Sequence, residues 1–405
     1  MTRKLNGTVG LKTSELQLIL RLAGIPSDDF MAAVLERLGR PRWHQPGTLQ
    51  GPLEIPASLF AKLLEGAIQQ PLKKNEILEL ENSTPEVYLG SVSLDARICP
   101  SDVYLNLLEQ IDSHPGVAFE LARSVVLESA KTIPEDDSGI LEHASLLNAW
   151  AIASLRKGRI SFAAALAARA FLLHGSANLS PTLPPLLRTA ACIFHDLGER
   201  RTAISVAQYA LFFAAMSEDE VGRAKSALAL SNRYLVYGFP EEATRVISSL
   251  HSVPDEVRFR VEYNRAFIKF RLEQYRDARS DLRAVAPGNR REEIHHLWLE
   301  AKILMAEERT DEALNVYRSL LERSSGHLQP SQHLIIFLEL VPLLREQGDI
   351  AVTKFFATYF LGDFEALEMN KAASRLRDDV IAAATHGLLR VGLERDHREL
   401  LSQDS

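Results

Sequence analysis

LNAWAIASLRKGRISFAAALAARAFLL (147–173) and LRTAACIFHDLGERRTAISVAQYALFF (187–213) align residue for residue, forty positions apart. Each has an apolar helical segment, a turn at Gly158 or Gly198, and a second helical segment that opens on a small residue. The pattern returns at Ala227–Pro254 around Gly238 and at Phe337–Leu361 around Gly348. Two further copies, Glu262–Pro287 and Leu297–Arg323, carry Glu273 and Glu308 at the turn instead of glycine. Turns at 158, 198, 238, 273, 308 and 348 give steps of 40, 40, 35, 35 and 40 residues. A helix hairpin cannot bury its apolar face alone, whereas stacked neighbours can, so this period predicts an all-α solenoid.

Small residues recur where two helices must cross closely. They are Ala151, Ala163 and Ala170; Ala191, Ala203 and Ala210; Ser231 and Ala243; Ala266 and Ala278; Ala301 and Ala313. A larger side chain at such a point would hold the helix axes apart. The phrases YGFPEEA (237–243) and RTDEA (309–313) complete the pattern. In this set of positions the chain resembles the tetratricopeptide repeat family over about 146–361, departing at Thr353, Leu250 and Val285. The resemblance implies a right-handed solenoid of about six or seven helix hairpins. An upstream pair, Val103–Ile111 and Val117–Ser129, and a polar capping helix, Ala372–Val391, extend the array, so that residues 101–405 form one repeat domain.

Residues 1–100 do not fit the repeat and read as a small α+β domain. Helices are expected at Ser14–Leu22, Asp28–Leu38 and Ser58–Gln69, with a Pro- and Gly-rich irregular stretch over 39–56. Glu76–Glu81 and Glu86–Leu94 alternate apolar and polar residues around Asn82-Ser83-Thr84-Pro85, which predicts a short β-hairpin. The first two helices also suggest a degenerate helix-turn-helix. Its second helix would begin Ser27-Asp28-Asp29, placing carboxylates near phosphates and offering no Arg, Gln or Asn to read base edges.

A net charge of −7 over 405 residues argues against general nucleic-acid binding, which needs a Lys and Arg excess on the contacting face. Nucleic acid is therefore not an expected partner. No apolar run approaches the ~20 residues of a membrane span, and the start lacks a secretory h-region, so membrane insertion is not expected and a cytoplasmic address is the default. The two cysteines, Cys99 and Cys192, have no metal-ligand spacing and read as core residues. His295-His296 and His327 with His333 likewise lack the geometry of a metal site. There is no HExxH, GxxxxGK[ST], GxGxxG or GxSxG, so neither an enzyme nor a cofactor is expected.

What remains is the concave groove that the first helices of a tetratricopeptide array line. The family's groove positions fall here on Lys225, Asn232, Tyr263, Phe267, Phe270, Arg271, His295, Trp298 and Lys302, with Asn264 beside them. Aromatic rings and Arg carry much of the energy in protein interfaces. An Asn amide can donate to a peptide carbonyl and accept from a peptide N–H, so Asn232 and Asn264 can grip an extended backbone. The family's clamp lysines are replaced by Leu228 and Leu299, which argues against a C-terminal carboxylate clamp. Between Arg245 and Arg291 eleven basic residues face six acidic ones, favouring an acidic partner segment. The expected function is a peptide- or protein-binding adaptor or scaffold. Alternatives are a peptide-sensing transcriptional regulator and a dedicated chaperone for a secreted or assembled protein.

Overall fold

The computed structural model describes residues 57–68, 71–83, 102–113, 115–131, 137–174, 182–217, 219–324, 327–345, 349–366 and 373–384. Among them there is no strand. The helices are α1 (Ala57–Ala67), α2 (Lys74–Asn82), α3 (Asp102–Ser113), α4 (Pro115–Ser129), α5 (Asp137–Arg156), α6 (Ile160–His174), α7 (Leu183–Asp196), α8 (Arg200–Met216) and α9 (Glu220–Val236). They continue as α10 (Pro240–Ser248), α11 (Asp255–Arg271), α12 (Tyr275–Arg283), α13 (Arg290–Ala306), α14 (Thr310–Ser324), α15 (Pro330–Arg345), α16 (Asp349–Tyr359) and α17 (Leu361–Ala366). A last helix, α18, covers 373–384.

Five hairpins, α5–α6 through α13–α14, close on the same turn. Its central residue is left-handed: φ is 72°, 83° and 86° at Gly158, Gly198 and Gly238, and 62° and 60° at Glu273 and Glu308. In each turn the following residue donates its N–H to the carbonyl five places back, at 2.8–3.0 Å: Arg159 to Ser154, Glu199 to Phe194, Phe239 to Tyr234, Gln274 to Lys269, Arg309 to Leu304. This is the Schellman cap, which satisfies a carbonyl that the helix end would leave orphaned. The chain then re-enters a helix at once. Ala163, Ala203, Ala243, Ala278 and Ala313 donate to the carbonyls of those same following residues at 2.9–3.1 Å. The sixth expected turn, at Gly348, lies outside the described residues.

A left-handed conformation costs a non-glycine residue about 1–2 kcal/mol, of which glycine's greater unfolded-state freedom returns part. Glu273 and Glu308 are both exposed. Replacing either by Gly should therefore raise stability by about 0.5–1 kcal/mol, measured by urea denaturation.

The small residues of the repeat sit where the helices of a pair meet. Ala151, Ala191, Ser231, Ala266 and Ala301 on the first helices, and Ala163, Ala203, Ala243, Ala278 and Ala313 on the second, are all buried. Successive first helices α5, α7, α9, α11 and α13 pack side by side, so the pairs form a continuous two-layered array. Introducing Leu at Ala203 or Ala243 should overpack a crossing and cost about 1–3 kcal/mol. A lowered melting temperature in each variant checks the register.

The expected hairpin strand at Glu76–Glu81 is instead helical, as α2. Ile77-Leu78 breaks the two-residue alternation, and Glu76 caps the helix start by accepting from the Lys73 N–H at 2.9 Å. Glu76 is also held by the Arg159 guanidinium at 2.7 Å, a tertiary contact no local pattern encodes. The expected second strand, 86–94, and the expected helices within 14–38 lie outside the described residues. On the N-terminal side of the expected boundary at residue 100, α1 packs on the helices beyond it. Phe60 stacks on Phe171 of α6 at 5.4 Å and meets Tyr209 of α8 edge-on at 5.9 Å. That second layer explains why α6 is apolar nearly all round.

The two ends of the array also approach each other. Helix α3 reaches α13 as well as its neighbours α4 and α5. At the α5–α6 turn, a Cβ on Gly158 would stand 3.1 Å from Pro330 Cγ and 3.6 Å from the Ala366 carbonyl oxygen.

Candidate functional site

Asn148, Arg188, Leu228, Tyr263 and Trp298 stand ten places before the left-handed residue of their turns. Ile152, Cys192, Asn232, Phe267 and Lys302 stand six places before it. The four-residue offset puts both sets on one stripe of each first helix, and the side-by-side packing joins these stripes into one surface.

From α11 to α15 this surface is aromatic. Phe259 stacks on Tyr263 at 6.0 Å, Tyr263 meets Phe267 at 6.3 Å, and Phe267 stacks on Phe270 at 6.2 Å. Neighbouring rings at i and i+4 follow from helix geometry. All four are half-buried. From α13, His295 packs on Tyr263 at 6.0 Å, while the Lys302 ammonium lies 4.6 Å from the Trp298 ring and 6.0 Å from Phe267.

Glu339 of α15 gathers this cluster. One carboxylate oxygen accepts from Trp298 Nε1 at 2.8 Å and from the Tyr317 hydroxyl at 3.1 Å. The other pairs with Lys302 Nζ at 2.8 Å. The hydroxyls of Tyr263 and Tyr317 are held un-ionised well above the usual phenol range, first by burial and then by the Glu339 charge. Four of the expected site residues, Tyr263, Phe267, Trp298 and Lys302, thus stand in one contiguous group.

The asparagines behave differently from a solvated pair of grips. Asn264 is 1% exposed, so it does not face a groove. Its Oδ1 accepts from the Ser231 hydroxyl at 2.7 Å, and its Nδ2 donates to Asn232 Oδ1 at 2.6 Å. The chain of hydroxyl and two amides bridges α9 to α11 and orients Asn232, which is half-buried. Only Asn232 of the two is placed to meet another molecule. Leu228 and Leu299, at the sites of the family's clamp lysines, are buried.

The expected electrostatic attraction is largely neutralised in place. Of the basic residues between Arg245 and Arg291, Arg245, Arg258, Arg260, Arg265, Lys269, Arg279 and Arg290 each pair with a carboxylate. Lys225 pairs with Glu256 at 2.6 Å. Arg271 stands exposed at the C-terminal end of α11, apart from the aromatic group's ion pair.

Toward α5 the same surface is covered from within the chain. The Tyr104 hydroxyl of α3 accepts from Asn148 Nδ2 at 3.3 Å. The Arg188 guanidinium, pulled below its usual pKa by burial and supported by Tyr104 and Asp219, donates to the Ser226 hydroxyl at 3.1 Å. Further along, Asp196 has its carboxyl pushed up to about 6 by burial, against the opposing influence of Arg233 and Arg156. Nearby His195 is pushed down to about 3 by burial and by Arg233 and Arg200, and it hydrogen-bonds Tyr237 through Nδ1 at 2.7 Å.

Glu339, Asn148 and Arg188 are parts of this surface that the sequence reading did not select. The latter two follow from applying the ten-place offset to the first two units. Glu339 had no such signal, because its role depends on how α15 docks on α13 and α14.

The histidines have internal partners. His296 Nε2 donates to the Leu282 carbonyl at 3.0 Å, and His333 bridges Asp363 at 2.7 Å and Ser324 at 2.6 Å. Among the described residues no group of three or more His, Cys, Asp or Glu is arranged to hold a metal ion, and no helix is long and apolar enough to cross a membrane. Comparison with protein-family models, with curated proteins and with solved structures finds no match.

Asn264→Ala should lower stability by about 1–3 kcal/mol, because it removes both bonds of a buried amide and strands its partners. Thermal unfolding of the variant measures this directly.

Proposed function

We propose that the chain is a tetratricopeptide-type right-handed solenoid that acts as an adaptor or scaffold, holding a segment of another polypeptide on the stripe formed by its first helices. The observation that supports this reading is the half-buried aromatic group of Tyr263, Phe267 and Trp298, bordered by the Asn232 amide. Large rings held in place by stacking and hydrogen bonds lose little side-chain entropy on binding, which suits them as interface anchors. Asn232 arrives oriented by Asn264, so it can donate an amide N–H to a partner carbonyl without reordering.

The balance of forces favours an apolar partner surface. Lys302 and Lys225 are both neutralised within the array, so an acidic segment would gain little there without breaking an existing ion pair. Association should accordingly depend only weakly on salt, and discrimination among partners should reside in dissociation.

The test uses a partner captured by the intact protein and compares the parent with an Asn232→Ala/Phe267→Ala double variant in a surface-based kinetic assay. The amide contributes about 0.5–1.5 kcal/mol and an aromatic anchor about 2 kcal/mol or more, so affinity should fall by a factor of roughly 50 or greater, mainly through faster dissociation. Unchanged affinity in a folded double variant would move the binding site to another surface.

A further inference from the structure

Lys225 on α9, Arg260 on α11 and Lys302 on α13 pair with Glu256, Glu292 and Glu339. Arg188 on α7, in the register of Tyr263 and Trp298, has no such pair: no carboxylate among the described residues lies within ion-pair distance of it. Its Nη1 donates to the Oγ of Ser226, a fully buried hydroxyl on α9, at 3.1 Å, and that bond orients the guanidinium. Nε and Nη2 have no partner within the chain and are not sealed from solvent. Burial pulls the pKa of this group down, and Asp219, which supports its charge from beyond ion-pair distance, is engaged in capping α9 through the Gly222 N–H at 2.8 Å. A guanidinium enclosed in this way without a counter-charge costs stability, and such groups mark binding sites.

The two bare nitrogens define what fits. Nε and Nη2 share one edge of the guanidinium, where two N–H bonds run parallel and match the two oxygens of a carboxylate. The chain uses this edge for that purpose elsewhere. Arg309 binds both oxygens of Glu312 through Nε and Nη2 at 2.7 and 2.5 Å, and Arg159 binds Glu76 through the same two nitrogens at 3.0 and 2.7 Å.

We propose that the Nε and Nη2 edge of Arg188 receives the side-chain carboxylate of an Asp or Glu of the partner. This deepens the adaptor reading and rests on it. One guanidinium matches one unit of negative charge, whereas a phosphomonoester brings about −1.5 to −2, and the surplus would have to be desolvated on an enclosed surface. The packing of the first helices sets the spacing. Arg188 and Tyr263 stand two interaxial steps of about 8–10 Å apart. In an extended partner segment, at about 3.3 Å per residue, the acidic residue therefore lies about five or six positions from the side chains seated on the aromatic group.

The probe is N-acetylglutamate α-amide, a single side-chain carboxylate on a neutral backbone. Its binding to the intact protein is followed by the rise in melting temperature with concentration at constant ionic strength. Two charge-assisted hydrogen bonds correspond to a Kd on the order of 10 mM. N-acetylglutamine α-amide, of the same shape without the charge, should bind at least about tenfold more weakly, as should the charged probe to Arg188→Gln protein. Arg188→Lys keeps the charge and loses the fork, so it should lie between parent and Arg188→Gln, and it carries the test if Arg188→Gln does not fold by circular dichroism. The partner captured by the intact protein should lose at least about tenfold in affinity for Arg188→Gln.

No binding of the charged probe to about 100 mM would overturn the proposal, as would equal binding of the glutamine probe or equal binding to parent and Arg188 variants. Tighter binding of N-acetylphosphoserine α-amide would reassign the site to phosphate. If the charged probe binds at Arg188 while Arg188→Gln keeps the captured partner at full affinity, the site serves a free small carboxylate and the proposal for the partner falls. If the probe fails while the Asn232→Ala/Phe267→Ala protein still loses its captured partner, the adaptor reading stands and only the carboxylate anchor is refuted. If the probe fails and that double variant retains the partner, both fall.

Discussion

Two constraints acting five residues apart hold this architecture together: a left-handed residue that ends each first helix, and an alanine that begins the close crossing of each second helix. The Schellman bond fixes the direction in which the chain leaves the first helix. Five residues later an alanine removes the bulk that would hold the returning helix away. Because the same geometry recurs at Gly158, Gly198, Gly238, Glu273 and Glu308, the hairpins stack with their first helices adjacent, and the stripe along those helices is a consequence of that stacking. Two units keep the geometry without glycine, so packing around Glu273 and Glu308 must outweigh the backbone strain there.

The stacking creates one long surface and then divides it. On α5, Asn148 is buried and donates to the Tyr104 hydroxyl of α3, whereas Arg188 on α7 is half-buried. Over α11 and α13 the equivalent positions, Tyr263 and Trp298, are half-buried and aromatic. Glu339 binds the indole N–H, a phenol and an ammonium at once, which fixes Trp298 and Lys302 in place. Charge on this part of the surface is used for internal order, and the groups left for the proposed recognition are rings and one amide.

The repeat and its register were legible because they are local. Turn residues and small residues sit at fixed offsets, and these offsets reappear as hydrogen bonds and buried contacts. The all-helical character was legible for the same reason. The strand expected at Glu76–Glu81 was misread because a six-residue alternation containing Ile77-Leu78 is too short to oppose a helix cap and a long-range ion pair between Glu76 and Arg159. The stripe's aromatic members could be found by counting back from the turns, but Asn264 could not be distinguished from Asn232 in this way. One residue of displacement on a helix turns a side chain by about 100°, enough to move it from the rim into the packed interface between α9 and α11. Glu339 and the Tyr104–Asn148 bond depend on contacts between separate units and leave no mark on any single repeat.

Trp298 offers the most direct test of the central proposal that a partner lies on the aromatic part of the stripe. Trp150 is fully buried, so in a Trp43→Phe variant the acrylamide-accessible indole fluorescence reports on Trp298. Adding a saturating partner should shield that fluorescence from acrylamide, since a segment seated over Phe267 and Trp298 excludes the quencher. Complete binding with no change in the quenching of Trp298 would contradict the account.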